Sequence, residues 1–459
     1  MRPANRSIGF GVFGKAQLGS ATPGSERRSR LVSKATSYGL AIVGPIGASG
    51  SQFVLSLQLL HSLDAGSFGT FSFLLITSTF TCSVWSALFC APLPIVVSSG
   101  DESRRREMLE CLFSASGLGA VIIGLLYCPL GANLGVPIGS AIAFSAYAAF
   151  ALLRWFARQH AYVTNRPLRT VASDLVYSGG LLAGGGVVLW AHATSLAAPF
   201  GALMAAAALS LLPFGRDYFR AQFVGFSINA LRRYGEIWRR HSSWTLVGVA
   251  TTEATANAHA YIVTLFVGPS AFAPLSASQL LIRPIGIVMT ALTDFERPQL
   301  ARLVHAGKPD DAMSALWPFR FALFAAWVGV ALLGASLITY APRLIFPARY
   351  AADYLAQATA LWMIVALIRL ARTSESALMQ AAGVFRPLAS ASVGSCLVSV
   401  VLVAVLLAAY GPLASLAGIL IGEGVYALWI HLHLRSWRRS LSPDVNIQGV
   451  ARAATSQNQ

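Results

Sequence analysis

Apolar residues run along this chain in blocks of about 20, the length a helix needs to cross a hydrocarbon core. The pattern predicts about twelve such spans, near residues 38–60, 68–97, 112–130, 136–158, 172–191, 195–214, 243–267, 271–292, 319–340, 353–371, 387–409 and 412–433. The connectors between them alternate in character. Arg104, Arg105 and Arg106 follow the second span, and Arg154, Arg158, Arg166 and Arg169 surround the end of the fourth. Further arginines follow the sixth, eighth, tenth and twelfth, whereas the connectors after the third, fifth, seventh and eleventh carry no Lys or Arg. Arg343 and Arg349 break the alternation. Loop Lys and Arg mark the cytoplasmic side, so an even number of spans places both termini there.

The longest basic connector, from Arg216 to Arg240, falls between the sixth and seventh spans and divides the chain into similar halves. The second span of the first half starts Ala65-Gly66-Ser67-Phe68-Gly69-Thr70-Phe71-Ser72, and that of the second half starts Pro269-Ser270-Ala271-Phe272-Ala273-Pro274-Leu275-Ser276. Their Phe and Ser positions coincide. Six spans per half insert both halves the same way round, a parallel internal repeat. The expected architecture is therefore an all-α polytopic membrane protein of about 12 transmembrane helices in two six-helix lobes. It divides into a basic N-terminal arm (1–36), an N-lobe (37–215), an inter-lobe loop (216–242), a C-lobe (243–434) and a C-terminal tail (435–459). The arm reads as a cytoplasmic tail, because a full-length apolar helix follows it with no small-residue cleavage site between.

Composition agrees: of 459 residues, 55% are hydrophobic and 11% charged, too few to coat a soluble core. The net charge of +16 lies in short loops rather than in an aromatic-studded soluble domain, which argues against nucleic acid as a partner. Five cysteines and eight histidines show no C-x-x-C or His/Cys metal spacing, so neither a metal site nor a disulfide framework is expected. No phosphate-binding, nucleophile-elbow or dinucleotide motif is present, and the sequence implies no enzyme chemistry and no cofactor.

Ionisable residues inside a membrane cost at least about 2.5–3.5 kcal/mol each and call for a partner, a cavity or a function. Glu253 in the seventh span and Arg283 in the eighth lie at similar depth from the basic side, placed to pair across adjacent helices. Glu253, Asn257 and Tyr261 follow at i, i+4, i+8 and share one helix face. Pro284 is expected mid-helix, where its missing N–H needs a cavity or a neighbour. The first span reads as broken and polar around Gly44-Pro45 and Ser49 to Gln52, and Gln52 joins the candidate substrate ligands with Asn257, Tyr261 and Arg283. Arg154 and Arg158 are placed to gather a phosphate or, as the plainer alternative, to snorkel toward the interface. Asp174 reads as a helix N-terminal cap. Glu253 and Glu423 are the candidate ion carriers, with a structural salt bridge for the first and a helix-locking hydrogen bond for the second as alternatives.

The order of elements resembles the polysaccharide-transport, Wzx-like branch of the multidrug/oligosaccharidyl-lipid/polysaccharide flippase superfamily, from Ser33 to Arg439. Three stretches carry the likeness: Leu63-Asp64-Ala65-Gly66-Ser67-Phe68-Gly69; Arg158-Gln159-His160-Ala161-Tyr162 through Asp174-Leu175; and Val267-Gly268-Pro269-Ser270 through Arg283-Pro284, followed by Arg297-Pro298. The resemblance implies a flippase in the bacterial inner membrane that moves polyprenyl-diphosphate-linked oligosaccharide repeat units for exopolysaccharide or O-antigen (lipopolysaccharide) export. It also implies membrane lipid, a polysaccharide polymerase and export proteins as partners. Arg283 matches a position where related flippases carry a cavity arginine, whereas the first span lacks their charged cluster. The competing readings are a drug/cation antiporter of the same superfamily, a membrane-embedded glycosyltransferase or polymerase, and a non-transporting partner of a synthase complex.

Overall fold

A computed structural model describes residues 44–97 and 101–440; the N-terminal arm, the start of the first span and residues 441–459 of the tail lie outside the described residues. Among the described residues the chain is helical, with no strand. The first lobe holds α1 (44–62), α2 (Ala65–Trp85), α3 (Glu102–Asn133), α4 (Ile138–Val163), α5 (Pro167–Trp190) and α6 (Ala197–Leu209). The second holds α7 (Ser243–Phe266), α8 (Pro269–Leu280), α9 (Arg283–His305), α10 (Pro309–Tyr340), α11 (Ala352–Ala381), α12 (Phe385–Tyr410) and α13 (Ser415–Ser440). Nine of the described helices, with their short continuations, are long and apolar enough to span a membrane singly, and α8 with α9 forms one span bent by 55°. α1 and α7 are less apolar helices of similar length, and counting them as spans gives the twelve expected. The polarity of α7 comes from Thr251, Thr252, Glu253, Thr255, Asn257 and His259.

Local chemistry explains where the spans turn. Asp64 caps α2 by accepting the Ser67 N–H at 3.0 Å, and Asp101 caps α3 by accepting from Ser103 and Arg104. After α7 the chain reverses at once through Gly268, whose φ of 105° suits glycine, into Pro269 at the first turn of α8. Apolar side chains are distributed over three buried clusters, one of which runs through both lobes and contains Phe68, Phe71, Phe144, Phe200, Phe272 and Trp362.

In the first lobe α4 packs on α3 and α6, with α5 also against α6; in the second α12 packs on α7 and α13, and α11 on α8, α9, α10 and α13. The lobes meet where α2 lies against α7 and α8. Thus the second span of one lobe abuts the second span of the other. Phe68 and Phe272 are both fully buried there, and Ser72 and Ser276 are buried beside them. The approach is close enough that a Cβ on Gly69 would lie 1.9 Å from the Pro269 carbonyl oxygen. Arg349, in the connector before α11, donates to the Leu60 carbonyl at the same end. The seam is therefore shut at the face carrying the apolar loops. Gly69→Val must force α2 from α8. Spin labels on His61 and Ser270 should report a longer separation in this variant, and an unchanged distance would remove Gly69 from the closed contact.

Four local expectations need correction. Residues 44–62 form one continuous helix, so Ser49 to Gln52 do not break it. The third span continues past Pro129 to Asn133. Residues 216–242 are not a loop but a string of short helical turns, tied to the helical continuation of α2 where Tyr234 Oη and Ser242 Oγ donate to the Leu88 carbonyl at 3.0 and 2.9 Å. Finally α5 begins at Pro167, which puts Asp174 two turns inside the helix rather than at its cap.

Candidate functional site

The break in the eighth span creates the most unusual charge in the molecule. α8 stops at Leu280 and α9 restarts at Arg283, so Pro284 falls in a first turn where its absent N–H leaves no bond unmade. Arg283 thereby sits at the positive end of the α9 dipole, an electrostatic environment that favours an anion. Its Nη1 donates to Ser56 Oγ of α1 at 3.2 Å, and Ser56 Oγ donates in turn to the Gln52 carbonyl at 2.8 Å. Among the described residues no carboxylate pairs with Arg283. Its side chain is neither fully buried nor surface-exposed, and the Ser56 bond sets it against α1.

The expected Glu253–Arg283 pair is not formed. Glu253 Oε1 instead accepts from Ser83 Oγ of α2 at 2.8 Å, and Oε2 accepts from Asn257 Nδ2 at 3.1 Å. Glu253 and Arg283 each reach the opposite lobe through a serine hydroxyl, and among the described residues neither forms a salt bridge. Tyr261 follows on the same α7 face, its ring edge-on to Phe73 and Phe80 of α2 and its hydroxyl buried with no hydrogen bond. The seam thus brings Glu253, Asn257 and Tyr261 together, and carries Arg283 and Gln52 on neighbouring helices.

Arg154 and Arg158 occupy a different place from the one expected. They do not snorkel: each is 7% exposed, and both close on Asp174, Arg154 Nη2 to Oδ1 at 2.5 Å and Arg158 Nη2 to Oδ2 at 3.0 Å. Arg154 Nε also donates to Ser173 Oγ, and its guanidinium lies 4.2 Å from the Tyr177 ring centre. Gln52 Nε2 donates to the hydroxyls of Tyr147 and Tyr177 at 3.3 and 3.4 Å, which links it to this cluster. Gly44 of α1 packs so closely that an added Cβ would meet Asp174 Oδ2 at 2.4 Å.

The second lobe repeats the motif. Arg369 and Arg372, one turn apart on its fourth span, donate through Nε to Glu423 Oε1 and Oε2 at 2.7 and 2.8 Å. Arg372 stacks over Tyr426 at 4.2 Å, as Arg154 does over Tyr177. Each clamp sets two guanidiniums against one carboxylate, a surplus of one positive charge, and Arg283 and Glu253 add one charge of each sign. Both Glu423 oxygens are occupied by arginines, so of the two candidate ion carriers Glu253 is the one that, among the described residues, bonds no arginine.

Sequence reading missed Arg369, Arg372, Ser56 and Ser83. The two arginines look like one more basic connector, and only their one-turn spacing at the position that Arg154 and Arg158 hold in the first half could have singled them out. Nothing marks a lone membrane serine as a partner for a charge on the other lobe. Elsewhere, a cavity of about 130 Å³ opens at the basic end of the first lobe between Phe113, His160, Arg166, Arg169 and Tyr218. It is smaller than the roughly 300–1,000 Å³ of pockets that hold drug-sized ligands.

No protein-family model matches the sequence, and none of the curated proteins does. Solved structures match along most of the chain. A multidrug resistance MATE family transporter of the MOP superfamily, in an inward-facing conformation, aligns with a TM-score of 0.63 and 13% identity over 88% of this chain and 100% of that one. The lipid II flippase MurJ, in an inward closed conformation, aligns at 0.67 and 11% over 86% and 87%. A MOP superfamily transporter from Pyrococcus furiosus, described as having reversed polarity in its binding pocket, aligns at 0.56 and 14% over 88% and 96%. The fold is therefore that of MOP-superfamily transporters, a multi-span membrane architecture.

Proposed function

We propose that this chain is a flippase for polyprenyl-diphosphate-linked oligosaccharide repeat units, serving exopolysaccharide or O-antigen export across a bacterial inner membrane. The observation that carries this reading is Arg283, a guanidinium that bonds a serine hydroxyl of the other lobe and, among the described residues, pairs with no carboxylate. Phosphate is the natural complement, because guanidinium forks onto two phosphate oxygens and stays charged at any accessible pH. In this reading the basic face lies in the cytoplasm, the lobes part there to receive the sugar diphosphate, and the polyprenyl tail stays in lipid. Rocking of the lobes about the α2–α7–α8 seam then exposes the headgroup to the other side.

Glu253 supplies a carboxylate for a coupling ion. Its bond to Ser83 crosses the seam and must break when the lobes separate, so occupancy of Glu253 and lobe position are linked. Glu253→Gln keeps the shape and removes the charge, with Ser83 or Asn257 turning to accept from the new amide N–H. Transport by this variant should lose its response to an imposed ion gradient, and an intact response would remove Glu253 from coupling.

A drug/cation antiporter is the second reading, favoured by the MATE fold likeness. The uncompensated arginines oppose it, since they repel the cationic cargo such a pump carries. The test is the leaflet distribution of lipid-linked repeat units in cells lacking the protein. Complete units should accumulate on the cytoplasmic leaflet, and wild type should restore their export. Normal translocation with missing polymer would point to a polymerase or a scaffold instead.

A further inference from the structure

The two arginine clamps have the same composition but not the same exposure. In the first lobe Arg154 and Arg158 keep 9% of their side-chain surface, and Arg158 Nε is sealed away without a hydrogen bond. In the second lobe Arg369 and Arg372 keep 21% and 16%, although the Glu423 they share is 1% exposed. Glu423 is thus a buried anchor, and the guanidiniums face outward from it. Both arginines spend Nε on the carboxylate. Arg369 Nη2 reaches the Ala256 carbonyl of α7 at 3.4 Å, next to Asn257 on the face that lines the seam. Among the described residues no acceptor meets the terminal nitrogens of Arg372, and none of them is sealed from solvent. Tyr426 beneath the Arg372 guanidinium fixes its plane, leaving a preorganised fork with open donors.

We infer that the Arg369–Arg372–Glu423 clamp is a second anion subsite, which selects cargo whose sugar portion itself carries an acidic group, a carboxylate or a phosphate. The inference rests on the flippase reading above and specifies its substrate class. Arg283 takes the diphosphate, which every lipid-linked unit has. The clamp, with one positive charge left over, takes the anion that only some sugars bear. The first-lobe clamp, closed over its own carboxylate, holds helices together and reads nothing.

Removing Arg372 leaves Arg369 paired with Glu423, so Arg372→Gln orphans no buried charge and neutralises the subsite. The experiment measures flipping in proteoliposomes of three polyprenyl-diphosphate cargoes matched in size: an all-neutral oligosaccharide, one with a uronic acid and one with a sugar phosphate. Wild type should move at least one acidic cargo about tenfold faster than the neutral one, a difference of about 1.4 kcal/mol. Which acidic cargo gains identifies the anion. Arg372→Gln should bring that rate down to the neutral rate and leave the neutral rate unchanged, whereas Arg283→Ala should lower all three. Equal wild-type rates for all cargoes overturn the subsite without touching the flippase reading, and this arm needs no variant to fold. Equal loss of every cargo in Arg372→Gln also overturns it. If wild type moves none of the cargoes, the flippase reading fails and the subsite falls with it.

Discussion

Arg283→Ala should reduce transport of a lipid-diphosphate cargo by about two orders of magnitude while leaving the protein folded. A charge-assisted hydrogen bond contributes about 1.5–3 kcal/mol, so losing a bidentate phosphate contact weakens cargo binding by roughly 100-fold or more. The fold should tolerate the change because the side chain gives up one hydrogen bond to Ser56 and leaves no carboxylate behind. A structural salt bridge would behave in the opposite way: its loss would orphan a buried acid and lower stability. Cargo binding by Arg283→Ala, read alongside its thermal unfolding in detergent, separates the two. Arg283→Lys should recover part of the affinity, since it keeps the charge but not the planar fork. Full activity in both variants would exclude Arg283 as the phosphate ligand.

The largest stability effect should come from Asp174. Asp174→Ala leaves Arg154 and Arg158 buried side by side with no counter-ion, and breaking a buried pair in this way costs about 3–5 kcal/mol. The triple change Arg154→Met, Arg158→Leu and Asp174→Leu should restore most of that loss, because an apolar replacement also removes the desolvation penalty. Thermal unfolding of the three proteins, wild type, single and triple, checks the order. The triple variant also asks whether these arginines touch cargo. Transport retained at normal expression assigns them to holding α4 on α5, and transport lost in a stable protein returns them to the substrate path.

The architecture was legible because the membrane imposes a coarse rule. Most spans must be apolar over about 20 residues, so the all-helical character and the order of the helices follow from windows of residues. Even the faint match of Phe68 and Ser72 to Phe272 and Ser276 falls at helices that pack on each other. The site was legible only in its parts. Glu253, Asn257 and Arg283 stand out as polar groups in apolar sequence, and the i, i+4 bond from Asn257 to Glu253 follows from helix geometry. Their partners come from other helices, and nothing along the chain records how helices rotate against one another. That is why Glu253 and Arg283 looked like a pair although Ser83 and Ser56 take their places. It is also why Asp174 looked like a cap, when burial in the path of two arginines makes it their common counter-ion.

The most direct test of the central claim is a flipping measurement on the purified protein in proteoliposomes. A polyprenyl-diphosphate-linked oligosaccharide is placed in both leaflets, and an added membrane-impermeant glycosidase reads how much reaches the outside. The account predicts that wild-type vesicles expose the inner-leaflet cargo to the enzyme and that Arg283→Ala vesicles protect it as protein-free vesicles do. Protection of the cargo in wild-type vesicles that nevertheless exchange a cationic drug would contradict it.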